Sequence, residues 1–182
     1  CDLGEASVQI ASDSYSIGEL ATRRLIDDGC SRILCLRNNS RMRMPANKRT
    51  DAYYDVVEQA GLPALVREVE FVKSDDEKSA VVAKILDENP DIDGIFAGDD
   101  TMAAICLNVM KQRGLSAPDD IKVVGADGAR RTMTFMPDLT TVRQDIDCIG
   151  ELAAQSIIAL VNGEKPESNI KLPVELIEGK TA

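Results

Sequence analysis

Short apolar runs alternate with amphipathic ones along most of this chain. SVQIA precedes IGELATRRLIDDG, RILCL precedes RTDAYYDVVEQAG, VREVEFV precedes DEKSAVVAKILDENP, and GIFAG precedes TMAAICLNVMKQRG, after which comes IKVVGA. The apolar runs have strand length, and the segments between them place apolar residues three and four apart, the spacing of one helix face. Strands joined through helices pair in parallel, and right-handed crossovers put the helices on both faces of the sheet. The chain is therefore expected to be an α/β protein, a parallel sheet flanked by helices.

The punctuation agrees with this period. Gly29, Gly61 and Gly114 stand just past helical patterns, where a left-handed residue closes the last turn. Asp13, Ser14, Ser74 and either Asp99 or Asp100 stand at helix entrances as N-cap candidates, and Pro63, Pro90 and Pro118 follow helix ends. After IKVVGADG the pattern changes. An irregular stretch, ARRTMTFMPD, leads to LTTVRQ, then to the helix DIDCIGELAAQSIIALVNG and a final strand IKLPVELI.

Composition excludes several functions. With 182 residues, 44% hydrophobic, the chain can build one sizeable core or two small lobes. Its formal net charge of −10 argues against a nucleic-acid surface, which needs a cationic face, so any DNA contact must come from elsewhere. The five cysteines (Cys1, Cys30, Cys35, Cys106, Cys148) form no CxxC pair and mostly sit in apolar runs, which fits small core hydrophobes in a reducing cytoplasm. Histidine is absent, which removes the commonest general base and zinc ligand. No GxGxxG, Walker A or GxSxG pattern is present, so neither a cofactor nor a metal is expected. No 18-residue apolar segment or basic leader is found.

In open parallel sheets, ligands bind beyond the carboxyl ends of the strands. Polar residues occur at several such ends: Asp13 after SVQIA, Arg37 and the loop after RILCL, Asp99 after GIFAG, and Asp127 after IKVVGA. For Asp99 and Asp100, capping needs only one carboxylate; Asp100 is taken as the cap and Asp99 as facing the crevice. Asp127, between Gly125 and Gly128, is either an ordinary Asp-Gly turn or a carboxylate facing a ligand. Arg49 opens a helix, an unfavourable place for a cation. Its guanidinium fork beside two carboxylates would suit a polyhydroxylated ligand, and the alternative is a salt bridge to Asp51 or a rim aspartate. The loop RNNSRMRMPANKR, with Arg37, Arg41, Arg43, Lys48 and Arg49, is read as solvated; if it faced the crevice it could hold an anion such as a phosphorylated sugar. Met102, Met110, Met133 and Met136 read as core and loop filler, and Tyr53 as core, while Tyr15 and Phe135 are aromatics near the rim.

Four blocks, LATRRLIDDGCSRILCL, RTDAYYDVVEQAGL, GIFAGDDTMAAICLNVMKQRGLSAPDDIKVVGADG, and PDLTTVRQDIDCIGELAAQSIIALVNGE followed by LPVELI, resemble the effector-binding region of LacI/GalR-type bacterial transcription regulators. The resemblance runs in order from about Ser7 to the end. It implies a periplasmic-binding-protein-like fold of two lobes that closes on a small molecule and passes that closure to a helix-turn-helix head. It also implies ligand-binding roles for Ser12 or Asp13, Arg49, Asp99, Asp127 and Gln144. Departures from the family pattern are Cys30, where histidine is frequent, and Asp99, where asparagine or serine is also common, which leaves ligand identity open.

The resemblance further implies that the chain is an effector-binding domain fragment over 1–182. On that reading about 12–138 and 170–182 form the C-terminal lobe, while 139–165 are a hinge strand and helix belonging to an absent N-terminal lobe. Ile149, Leu152, Ala153, Ile157, Leu160 and Val161 should then lack their usual cover, leaving the helix docked on another chain, displaced or poorly ordered. The expected function is a cytoplasmic, non-catalytic sensor, part of a homodimer, binding a sugar or sugar derivative, with DNA contacted only through a separate head and no membrane partner. Alternatives are a solute-binding protein serving a sugar transporter and, less favoured, an enzyme using Asp99 and Asp127 as acid and base.

Overall fold

The computed structural model describes residues 8–39, 47–70 and 72–182. The elements alternate as the periods predict: β1 (Gln9–Ser12), α1 (Ser14–Asp27), β2 (Ile33–Asn39), α2 (Asn47–Gln59), β3 (Leu65–Glu70), α3 (Asp75–Glu88), β4 (Gly94–Ala97), α4 (Asp100–Gln112) and β5 (Lys122–Asp127). They are followed by α5 (Arg130–Phe135), β6 (Thr140–Gln144), α6 (Ile146–Val161), β7 (Asn169–Leu172) and β8 (Val174–Ile177). Six strands form the main sheet in the order β3-β2-β4-β5-β6-β8, parallel except for β8. β1 and β7 pair in parallel as a separate two-stranded sheet.

Side-chain alternation explains the three layers. Along β2, Ile33 and Cys35 join one core while Leu34 and Leu36 join the other; along β4, Phe96 opposes Ile95 and Ala97. A strand apolar at every position must be covered on both faces. Ile17, Ala21 and Leu25 of α1 with Tyr53 and Val57 of α2 cover one face. Val82, Ile85 and Leu86 of α3 with Met102, Cys106, Val109 and Met110 of α4 cover the other. Tyr53 carries a hydroxyl into its core and satisfies it, donating to the Ile33 carbonyl at 2.7 Å and accepting from the Leu65 N–H at 2.8 Å. That single phenol ties α2 to two adjacent strands.

Most capping expectations hold. Asp13 accepts from the N–H groups of Tyr15 and Ser16, Ser74 and Glu77 form a reciprocal capping box, and Gly29, Gly61 and Gly114 have positive φ. Cys30, Cys35 and Cys106 are buried, as hydrophobes would be. Cys1, Ser7, Arg41 and Arg43 lie outside the described residues.

Two expectations are corrected. The stretch ARRTMTFMPD is not wholly irregular: it contains the six-residue α5, too short and too exposed to show an apolar period. The single strand IKLPVELI is two strands in different sheets, β7 beside β1 and β8 antiparallel to β6. Pro173 lies between them, and its missing N–H interrupts a ladder. The strand within LTTVRQ, Thr140–Gln144, pairs with β5 and β8 inside the main sheet.

Candidate functional site

From β2 the chain crosses to β3 on one side, and from β4 it crosses to β5 on the other. The connections thus diverge at the β2/β4 boundary, where a parallel sheet leaves a crevice beyond its carboxyl ends. Four neighbouring strands, β2, β4, β5 and β6, each carry a polar residue at or just past this end: Asn38, Asp99, Asp127 and Gln144 respectively.

Arg49, in the first turn of α2, joins them. Its Nη1 donates to the Gly98 carbonyl at 2.5 Å, and its Nη2 donates to Asp127 Oδ1 at 2.9 Å. Gln144 Nε2 donates to the same Asp127 oxygen at 2.6 Å. The salt bridge expected for Arg49 is therefore made to the rim aspartate and not to Asp51, with the Arg49 side chain only 11% exposed. Burial raises the Asp127 carboxyl above its ordinary range, against the lowering effect of the Arg49 charge.

Asp127 occupies an unusual backbone position. Its φ is 109°, in a region L-residues rarely adopt, and Gly128 follows at φ 57°. A Cβ on Gly128 would lie 2.7 Å from the Arg143 Cα, so this turn admits no side chain there. The Asp-Gly pair is a tight turn and also a carboxylate presented to a cation; the two readings do not compete.

The cap of α4 is Asp99, not Asp100 as expected. Asp99, at φ −153° and ψ 168°, is the N-cap of α4, its Oδ1 accepting from the Met102 N–H at 2.7 Å. Its other oxygen accepts from Asn38 Nδ2, so it caps the helix while still holding a neighbour at the crevice. Asp100 is 3% exposed and turned into the fold, where Oδ1 accepts from the Thr141 hydroxyl at 2.6 Å and Oδ2 from the Gly128 N–H at 2.8 Å. Burial pushes its carboxyl up to about 6.

Asn38 was missed at the sequence level. Its signal was the same strand-end rule that found the others, but the following basic loop drew attention to Arg37, which instead pairs with Glu68 on β3. Asn38 Oδ1, Arg49 Nε and Ser12 Oγ are buried without a hydrogen-bond partner among the described residues. Buried polar atoms of this kind are rare in folded proteins, and Arg37 Nε and Arg32 Nε share the condition, the latter 3.1 Å from Asp91 Oδ2.

Ser12 and Asp13 stand apart from this cluster. Both precede α1, whose Gly18 packs so closely on α2 that a Cβ would be 2.0 Å from the Arg49 carbonyl oxygen. The entrance of α1 is thus brought towards the rim. Asp13 is engaged by Lys171 at 2.7 Å; burial raises its carboxyl, but Lys171 and the Ser16 N–H outweigh that and hold it below the ordinary value. Tyr15 donates to Asp55 at 2.7 Å, and Phe135 is exposed. Beside Gln144 lies a recess of about 940 Å³ lined by residues including Gly128, Arg143, Gln144, Ile146, Cys148 and Pro173; Arg49, Asp99 and Asp127 are not on its walls. Among the described residues no cluster of side chains is arranged to hold a metal ion, and no helix is long and apolar enough to cross a membrane.

Residues 22–182 match the family described as periplasmic binding protein-like domain. The chain is 31% identical over 174 residues to the ribose operon repressor of Halalkalibacterium halodurans, covering 94% of this chain and 51% of that protein. It is 32% identical over 173 residues to the sucrose operon repressor of Pediococcus pentosaceus, covering 94% and 53%. The chain thus spans about half the length of these curated relatives. A periplasmic binding protein/LacI transcriptional regulator from Alkaliphilus metalliredigens QYMF, solved with D-xylulofuranose, superposes with a TM-score of 0.83 at 25% identity over 96% of this chain and 65% of that one. With residues 22–182 matching its family model, the chain belongs to the periplasmic binding protein-like domain family.

Proposed function

We propose that this chain forms one wall of a sugar-binding crevice in a LacI/GalR-type regulator and is the part that senses a small polar effector. The observation that carries this reading is the convergence of Arg49, Asp127 and Gln144 at the carboxyl ends of adjacent strands, with Arg49 Nε beside them buried and without a hydrogen-bond partner among the described residues. Carboxylates accept from sugar hydroxyls, and a guanidinium donates to neighbouring oxygens in fixed geometry. Asp99 and Asn38 form a second polar pole across the switch point, and Ser12 and Asp13 a third at the entrance of α1. The names of the related repressors, which refer to ribose and sucrose operons, and the sugar held by the Alkaliphilus structure point to a carbohydrate effector.

On this reading the protein is a sensor, not an enzyme. The effector must bind one closure state better than another, because a ligand shifts a two-state equilibrium only by its differential affinity. The acidic chain leaves DNA contact to a separate head, and a DNA-bound sensor of this kind works in the cytoplasm, as the homodimer that the family resemblance implies. The test is a thermal-shift screen of sugars and sugar phosphates against the full-length protein. A ligand binding only the folded state raises its melting temperature. A sugar that stabilises the parent protein but not Asp127→Asn or Arg49→Ala supports the proposal. A sugar whose effect survives both substitutions would place the binding site elsewhere.

A further inference from the structure

We propose that Asp100 is a positioning residue for the sugar site, holding the Asp127–Gly128 turn from beneath so that Asp127 meets Arg49 and Gln144. This inference rests on the sugar-sensing reading only for its functional meaning; the geometry is independent of it.

The turn needs an external restraint. An L-residue at positive φ costs on the order of 1–3 kcal/mol and persists where surrounding contacts determine it. Asp127 is held at its side chain by two donors, and these could pull it out of place as readily as into place if the backbone were free. Asp100 supplies the backbone restraint: its Oδ2 accepts the Gly128 N–H at 2.8 Å. Its Oδ1 accepts the Thr141 hydroxyl at 2.6 Å, anchoring the carboxylate to β6, three residues before Gln144. One side chain on the first turn of α4 thus connects the turn after β5 to Thr141, near the start of the strand that ends in Gln144.

The surroundings are shaped for this. A Cβ at Gly125 would lie 2.6 Å from Asp100 Oδ1, so β5 leaves room for the carboxylate at that point. Asp99 already caps α4, and Asp100 is not needed for that purpose. The charges facing Asp100 are Asp127 on β5 and Asp99 at the helix entrance, with Arg49 on α2 beyond Asp127. Asparagine at position 100 could reproduce both bonds, accepting from Gly128 and donating to Thr141, whereas alanine could make neither.

The experiment is NMR on the isotope-labelled chain, reading the Gly128 amide and the Gln144 side-chain amide. In the parent chain the Gly128 amide proton should shift with pH in step with the Asp100 carboxyl carbon. In Asp100→Ala, with the remaining spectrum intact, Gly128 exchange should accelerate at least tenfold and the Gln144 amide should move towards its free position. Asp100→Asn should restore both signals. The parent titration keeps the test decisive if Asp100→Ala fails to fold: a Gly128 amide that ignores Asp100 overturns the proposal. So does a folded Asp100→Ala with an unchanged Gln144 signal. Calorimetry of the full-length protein with D-ribose and sucrose adds the functional arm, where Asp100→Ala should bind about tenfold more weakly than the parent and Asp100→Asn nearly as well. Full affinity in Asp100→Ala overturns the positioning role. If neither sugar binds the full-length parent, that counts against the sugar reading, and the two amide signals still decide the role of Asp100.

Discussion

Asp99 and Asp100 are chemically identical neighbours with opposite fates. Asp99 sits in extended backbone and caps α4, while the next residue has entered the helix and points inward. This difference has a measurable pH signature. The folded-state pKa of Asp100 is raised from 3.8 to about 6, mainly by burial. A raised carboxyl favours the folded state fully below pH 3.8, and that contribution is lost as pH rises through 6. Ionised Asp100 therefore costs roughly 2–3 kcal/mol at neutral pH, since each tenfold change in an acidity constant corresponds to about 1.36 kcal/mol. Asp100→Asn should be more stable than the parent at pH 7.5, with the difference closing towards pH 4, as read by urea denaturation across pH. At the rim, Arg49→Lys should weaken sugar binding at least about tenfold in calorimetry, because an ammonium cannot hold the Gly98 carbonyl and Asp127 with the geometry of a planar fork. Arg49 was conspicuous in the sequence as a cation at a helix start. Asn38 was not, since nothing local distinguishes it from the polar loop that follows.

At the scale of elements, strands and helices were legible wherever a period lasted several residues. Gaps followed from short length or from pairing across the chain. α5 has too few residues to display a period, and the division of IKLPVELI depends on which distant strands accept its halves. The capping box of α3 makes an independent prediction. Ser74→Ala removes the acceptor for the Glu77 N–H and the hydroxyl bonded to its carboxylate, and should lower stability by about 1 kcal/mol in urea denaturation while leaving sugar affinity unchanged. Phe96→Ala, at a fully buried position beneath α1 and α2, should cost about 3–5 kcal/mol by the same measurement.

Over the whole molecule, α6 stands out. It is a regular helix, yet Ser156 is its sole buried residue, and Ile157, Ile158, Leu160 and Val161 are 61%, 61%, 52% and 80% exposed. Ile149, Leu152 and Ala153 are half-buried. Burying a large aliphatic side chain is worth about 1.5–3 kcal/mol, so this face is expected to be covered in a protein of the relatives' length. Hydrogen exchange on this chain alone should show α6 amides opening far faster than those of β4 and β5, which lie in the doubly covered sheet. Protection of α6 equal to that of β4 in a monomer would contradict this expectation.

The sequence by itself determined the alternation of strands and helices, the burial of both sheet faces and the location of a polar edge, because these follow from periods and strand ends written within a few residues. Tertiary structure alone decided which carboxylate caps and which is buried, that Arg49 selects Asp127 over Asp51, that Asn38 faces Asp99, and that β6 belongs to the main sheet. Each of these depends on backbone direction and on neighbours many residues away. A one-residue change in where a strand ends turns a side chain to the opposite face, and no local pattern resolves that difference.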